Sequence, residues 1–319
     1  MAIKIPIKPN SPGYALAVVK NGQIVYQKLA GLANLSSKQP IKSKTAFRLA
    51  SLSKQFTAMA IMILKERKLL DYDDRLTRFF PDFPDYGKKV TVRQLLTHTS
   101  GVPDHEQPLY EQLKNNPKMV PNIDDSLLVL KQQKQLLFPA GSKFQYSDSG
   151  FVILALIIEK VSGLSYRDFL TVNIFKPLNM ANSDVLDDTK PKISNRAYGY
   201  RTLKNGFKLF DFDPLNYIVG DEGVYSSLND MVKWNQAWEK PILVSQTTLP
   251  TGFSWLITNY QQENIIYQDG WWVGFRNIIL KIPSKNTTVI ILSNRTDLET
   301  TKQRIAVAFA VLKSYQDET

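Results

Sequence analysis

Residues 14–30, YALAVVKNGQIVYQKLA, set two apolar, β-rich runs on either side of Asn21-Gly22, the strongest short-range signal for a two-residue hairpin. A hairpin at the start of a chain must find further strands to pair with, and they lie at the other end. Residues 276–282 and 288–292 read as strands joined by PSKN, preceded by strand-like runs over 253–260 and 264–268. The stretch between, residues 73–181, reads mainly as short helices and loops. Thr91 with Gln94 forms a capping box there, and Gly101 supplies a stop after HTS. Longer helices are expected over 149–161, ending at Ser162-Gly163, over 229–239 and over 298–315. The order of strands, helices, strands and a closing helix predicts an α+β fold, an α/β lobe plus a helical lobe. Its antiparallel sheet is built from both chain ends and flanked by helices. The expected division is 1–72 with 190–319 for the sheet-containing lobe and 73–189 for the helical lobe, with the site in the cleft between them.

Composition narrows the chemistry. At 319 residues and 43% hydrophobic, the chain has ample material for a core, so disorder is excluded. The formal charge of +11 comes from scattered Lys and Arg residues, as on a solvated basic surface, and no nucleic-acid partner is expected. The absence of cysteine removes disulfides, thiolate zinc sites and a Cys nucleophile. No apolar run is long enough for a membrane helix, and the opening MAIKIPIKPNSPG has no signal-peptide core.

Residues 51–68 turn to a helical period, with Phe56, Ala60, Ile63 and Leu64 on one face and Met59 and Met62 beside them. A helix buried nearly all round is expected, a rigid platform for whatever its N-terminus carries. Histidine occurs only at His98 and His105, and neither G-x-S-x-G nor H-E-x-x-H is present, so no motif supports a triad hydrolase or a zinc hydrolase. His98, at the end of a capped helix, reads as a structural side chain bonded to nearby carbonyls and favoured by the helix dipole; His105, in a loop, reads as structural too. No metal site and no cofactor are expected.

A serine can also be activated by lysine, and Ser51-Leu52-Ser53-Lys54 is the one Ser-x-x-Lys in the chain. The spacing alone is common, but here it opens the buried helix. Ser51 in the first turn puts Lys54 one turn on along the same face, and the free backbone N–H groups of a helix start favour developing negative charge. A lysine inside an apolar helix is costly to bury without a task. Tyr146-Ser147-Asp148 follows a Pro139-Ala140-Gly141 turn and precedes the next apolar helix, a loop suited to presenting side chains. A phenol beside Lys54 is expected to have its pKa lowered from about 10, as a general base for Ser51 needs. Gln268-Asp269-Gly270-Trp271-Trp272-Val273-Gly274-Phe275 opens the C-terminal strand pair, and its glycines permit close backbone approach. The tryptophans fit core and pocket wall equally.

Together, and in this order, these segments resemble the serine β-lactamase and penicillin-binding protein superfamily, in its class C-like branch of class C β-lactamases, DD-peptidases and family VIII esterases. The phrases FRLASLSKQFTA, VTVRQLLTHTSGV, PAGSKFQYSDSGF, GDEGVYSSLNDMVKW and GWWVGFRN carry the similarity over nearly the whole chain. The resemblance implies Ser51 as acylated nucleophile, Lys54 as its proton partner and Tyr146 as general base or acid. It also implies the backbone N–H groups of Ser51 and Trp271 as an oxyanion hole, and Asp148, Gln268, Asp269, Gly270, Trp272 and Arg276 as substrate-binding positions. Most members are exported, so a periplasmic or secreted bacterial protein is implied, with a cytoplasmic one left open.

Two departures bear on substrate. The second motif usually ends in asparagine, and Asp148 accepts hydrogen bonds where an amide would donate; it can instead pair with Lys54 and hold it charged. The third motif usually begins with lysine or histidine, and neutral Gln268 beside Asp269 suits a substrate carboxylate less well; Arg276 compensates only if it faces the cleft. The small-molecule substrates implied are an ester, an amide, a β-lactam or a peptidoglycan peptide. An esterase or amidase for uncharged or weakly charged acyl compounds comes first, a DD-carboxypeptidase or β-lactamase second, and a non-catalytic binding homologue third.

Overall fold

The computed structural model describes residues 7–190, 192–249 and 253–317. Its organising element is a six-stranded antiparallel sheet made from both chain ends. The spatial order is Leu256–Tyr260, Glu263–Trp272, Phe275–Ile282, Thr287–Ser293, Tyr14–Lys20 and Gln23–Ala30. The two ends join where Tyr14 pairs with Ser293 and Lys20 with Thr287. Asn21 and Gly22 both take positive φ, 52° and 76°, the geometry of the tight hairpin turn that Asn-Gly favours.

Both faces of this sheet are covered, and the side-chain alternation shows how. Ala15, Ala17 and Val19 point into the main core with Phe275, Ile279, Ile290 and Leu292. Tyr14, Leu16 and Val18 point the other way, with Ile278, Leu280, Val289 and Ile291, onto Ile305, Ala308, Phe309 and Leu312 of the C-terminal helix Thr301–Asp317. The two strands Phe275–Ile282 and Thr287–Ser293 are therefore buried along nearly their whole length, as strands covered on both faces are.

The helix Lys54–Glu66 is buried from Lys54 through Leu64, as the all-round apolar pattern predicts. Phe56 stacks on Trp234 of the helix Leu228–Glu239, centroids 4.0 Å apart, and ties it to the sheet lobe. On its other side packs the helix Asp148–Ser162, whose Ser147 cap accepts from the Gly150 N–H and whose end turns through Gly163 at φ 71°. The capping box at Thr91 and Gln94 is formed. No single helix among the described residues is long and apolar enough to cross a membrane.

Several boundaries differ from expectation. The run over 253–260 is a strand only from Leu256, because Phe253 and Ser254 form a turn with Ser254 at φ 58°. The run over 264–268 extends to Trp272, so Gln268 to Trp272 make up the second half of a long strand instead of opening a pair. Ser51 lies in a 3-10 turn, Ala50–Ser53, with Lys54 as the first residue of the α-helix. The closing helix begins at Thr301. A small sheet of Ala46–Arg48, Val224–Ser227 and Asp184–Val185 was not anticipated; it delivers the chain directly into the Ser51 turn.

Candidate active site

Ser51 is presented by a strained turn. Ala50, fully buried, sits at φ 53°, a left-handed conformation that costs an L-residue about 1–2 kcal/mol. Over this turn lies the strand Glu263–Trp272, and its approach is possible only because residue 270 is glycine. A Cβ there would stand 2.2 Å from the Leu49 carbonyl oxygen and 3.2 Å from the Ser51 backbone nitrogen. Gly270 thus brings the backbone on either side of it, including that of Trp271, against the serine turn, the close approach for which the sequence suggested a glycine.

Lys54 is fully buried and reaches four groups. Its Nζ donates to Ser51 Oγ at 3.1 Å and to the Asp221 carbonyl at 3.1 Å, pairs with Asp148 Oδ1 at 2.6 Å, and lies 5.1 Å from the Tyr146 ring centroid. Burial works against the ammonium. Asp148, Tyr146 and Asp221 overcome that and hold its pKa well above the ordinary lysine value. Burial also pushes against the Asp148 carboxylate, and here the Lys54 charge prevails and holds it low. The pairing of Asp148 with Lys54 is the geometry expected from an aspartate at this motif position.

Tyr146 departs from its expectation. Its side chain lines the cleft and is 38% exposed, yet the surrounding protein pushes the phenol up to about 12, burial being the largest cause. Lys54 and hydrogen bonds to Ser51 and Lys54 pull it down, Asp148 pushes it up, and burial outweighs the pull. The lowering predicted from a nearby lysine fails because burial of the phenol outweighs it, with the Asp148 charge adding to the rise. At neutral pH the resting site holds a phenol and an ammonium.

The two histidines serve this loop, and the sequence reading of His98 is corrected in detail. Its ring stacks on Tyr146, centroids 4.4 Å apart, and its Nδ1 accepts the Ser147 N–H at 3.1 Å. Burial drives its pKa down to about 3, so it is a neutral acceptor and not a cation bonded to carbonyls at a helix end. His105 meets Ser149 Oγ through Nδ1 at 3.0 Å, and burial lowers it to about 4.

The third motif divides. Gln268 is 2% exposed, and its amide donates to the carbonyls of Ser51 and Asp269, both at 3.3 Å, so it braces the serine turn from below and is not offered to a ligand. Arg276 does not supply the missing cation. Its terminal nitrogens donate to the carbonyls of Val273 and Phe275 and to Glu299, its guanidinium lies 5.8 Å from the Trp271 ring centroid, and its Nε is buried without a partner among the described residues. Asp269 lines the cleft but is held by Arg304 and Thr301. Trp271, 58% exposed, and Trp272, whose Nε1 donates to Asn216, form its aromatic wall.

Sequence reasoning missed several acidic groups at the site. A cleft of 380 Å³ brings Ser51 and Tyr146 together with Glu106, Asp148, Glu222 and Asp269. Glu222 lies 3.6 Å from buried Arg48, and burial raises its pKa well above the usual range. Asp221 is 3% exposed and burial raises it to about 7. The signal for this pair was the phrase Gly220-Asp221-Glu222-Gly223, two acids between glycines at φ 108° and 93°.

A Beta-lactamase family model matches residues 5–312. The chain belongs to the β-lactamase family. It is 32% identical over 303 residues to penicillin-binding protein 4* of Bacillus subtilis (strain 168), covering 86% of this chain and 66% of that one. It is 32% identical over 236 residues to the D-aminopeptidase of Brucella ovis, covering 73% of this chain and 43% of that one. The chain thus spans less than two thirds of these curated relatives' length. The octameric penicillin-binding protein homologue from Pyrococcus abyssi superposes with a TM-score of 0.79 at 27% identity, covering 95% of this chain and 74% of that one. The family accounts for the α+β architecture and for the order of the three motifs.

Proposed function

We propose that this chain is a serine hydrolase that works through an acyl-enzyme, with Ser51 as nucleophile, on esters or amides that lack a carboxylate beside the scissile bond. The observation that carries it is the contact of buried Lys54 with Ser51 Oγ at 3.1 Å inside a cleft, with Asp148 and Tyr146 completing the proton network. In this scheme the reactive form of the Tyr146–Lys54 pair has lost one proton to solvent, and Ser51 Oγ attacks the carbonyl carbon while its own proton passes to that vacated position on the pair. The N–H groups of Ser51 and Trp271 receive the oxyanion, and the pair returns the proton to the leaving group. Water then releases the acyl group by the same steps in reverse.

The substrate preference follows from charge. Lys54 is paired with Asp148, the terminal nitrogens of Arg276 are taken by carbonyls and Glu299, and the ionised Asp148 and Asp269 line the cleft, so a substrate carboxylate finds no free cation there among the described residues. Hydrolysis of a short p-nitrophenyl ester, abolished in Ser51→Ala, is expected. Turnover that survives Ser51→Ala defeats the proposal. Labelling of Ser51 by a fluorescent penicillin at low concentration would instead favour a DD-carboxypeptidase or β-lactamase.

A further inference from the structure

The apolar layer between the six-stranded sheet and the helix Thr301–Asp317 does not close at the end away from Ser51. Ile282, Phe309 and Leu312, all buried, are side chains of that layer, and they form the floor of a cavity of 420 Å³, larger than the 380 Å³ cleft over Ser51. The rim of this cavity is basic. Lys20 ends the strand Tyr14–Lys20 on the same face as Leu16 and Val18, Lys285 comes from the turn before Thr287, and Lys313 comes from the helix. Lys285 pairs with Glu263 at 2.9 Å, the one carboxylate among the described residues that line the cavity. Lys20 and Lys313 are exposed and have no carboxylate partner among the described residues. Long lysine stems ordinarily fold over the rim of an apolar layer and cover it. Here they stand round an opening that stays wide enough to admit a small molecule.

We infer that this cavity is a second ligand site, for a small carboxylate whose apolar body enters between sheet and helix while its charged head meets Lys20 and Lys313. Ile282 and Leu312 offer the body hydrocarbon to lie on and Phe309 offers it a ring. The two lysines supply point charges and N–H donors that nothing else among the described residues takes up. Glu263 stands in the wall and works against a doubly charged head, which favours a carboxylate over a phosphate monoester. The site is separate from the cleft. Glu263 and Trp272 are the two ends of one ten-residue strand, about 30 Å apart at the rise of a β-strand, with Glu263 in the cavity and Trp272 in the cleft. An anion that finds no free cation beside Ser51 therefore finds two at the opposite end of the same strand.

The test is equilibrium binding of three probes to the full chain. The first is 4-phenylbutyrate, the second 4-phenyl-1-butanol, with the same body and no charge, and the third acetate, with the same head and no body. None is an ester or an amide, so the outcome is independent of whether the cleft hydrolyses anything. 4-Phenylbutyrate is expected to bind one to one, about three- to thirtyfold more tightly than the alcohol, the range for two partly exposed ion pairs. Acetate is expected to bind at least about tenfold more weakly than 4-phenylbutyrate, since it buries no apolar surface. In Lys20→Gln/Lys313→Gln, which alters only exposed side chains, the ratio of acid to alcohol should collapse toward one. Equal binding of acid and alcohol to the unaltered protein overturns the inference, and so does acetate binding as tightly as 4-phenylbutyrate. A ratio that survives in the double variant places the anion elsewhere on a surface of charge +11 and overturns it as well.

Discussion

At the residue scale the site turns on the replacement of an amide by Asp148. Its carboxylate pairs with Lys54 at 2.6 Å and pushes up both Lys54 and Tyr146. The proton-accepting form of the pair therefore becomes populated only as pH rises. Asp148→Asn removes the negative charge, so both groups fall and the acidic limb of kcat/KM should move to lower pH, by about one to three units. A pH–rate profile checks this; a limb that stays in place or moves up contradicts it. His98 acts through Tyr146. In His98→Ala the ring stack and the Ser147 tether go, and kcat should fall by up to about a hundredfold with the pH limb unmoved. A shifted limb would mean that His98 itself carries a proton. The Ser51 and Lys54 pair was legible because three residues of helix-like turn bring them together locally. The approach of Glu106 and Asp221 to within 4.8 Å was not, since only the tertiary fold joins them.

At the scale of elements, the proposed oxyanion hole depends on how closely one strand lies on one turn. Gly270→Ala would put a methyl group 2.2 Å from the Leu49 carbonyl, which is backbone and cannot swing aside. The strand must lift, and kcat should drop about a hundred- to a thousandfold, the loss expected for one oxyanion donor. Circular dichroism should show the fold retained, and near-normal kcat in Gly270→Ala would contradict the close approach. The elements themselves were read with uneven success for a physical reason. Asn21-Gly22 specifies its hairpin through local φ preference, and the helix Lys54–Glu66 through an apolar period that tertiary packing then uses. The strands Ala46–Arg48 and Asp184–Val185 are too short to carry a period, and pairing across the chain alone defines them. The positive φ of Ala50 is likewise imposed from outside, since alanine has no local preference for it.

For the whole molecule, charge is distributed against the average. The chain carries +11, yet its cleft gathers carboxyl groups in excess of the cations that reach them. Burial raises Glu106 to about 8 and Asp221 to about 7, from 4.5 and 3.8. Such raised acids stabilise the fold fully below their unfolded values and lose that contribution as pH rises through the folded ones. His98 and His105, lowered from 6.5 to about 3 and about 4, act in the opposite sense, contributing above 6.5 and losing it as pH falls. The two pairs offset between about pH 4.5 and 6.5, and above 6.5 the acids alone among these four still change. The urea midpoint should therefore fall between pH 6.5 and 8, and the Glu106→Gln/Asp221→Asn double variant should flatten that slope. A midpoint that rises over the same interval contradicts the burial assigned to these acids.

The central claim is that Ser51 becomes acylated. Intact-mass analysis after brief incubation with a panel of activated esters and β-lactams tests it directly. The account predicts an added mass equal to the acyl group from an ester, located by peptide mapping at Ser51 and absent in Ser51→Ala. Ester turnover with no trapped adduct at any pH, or an adduct on another residue, would contradict it.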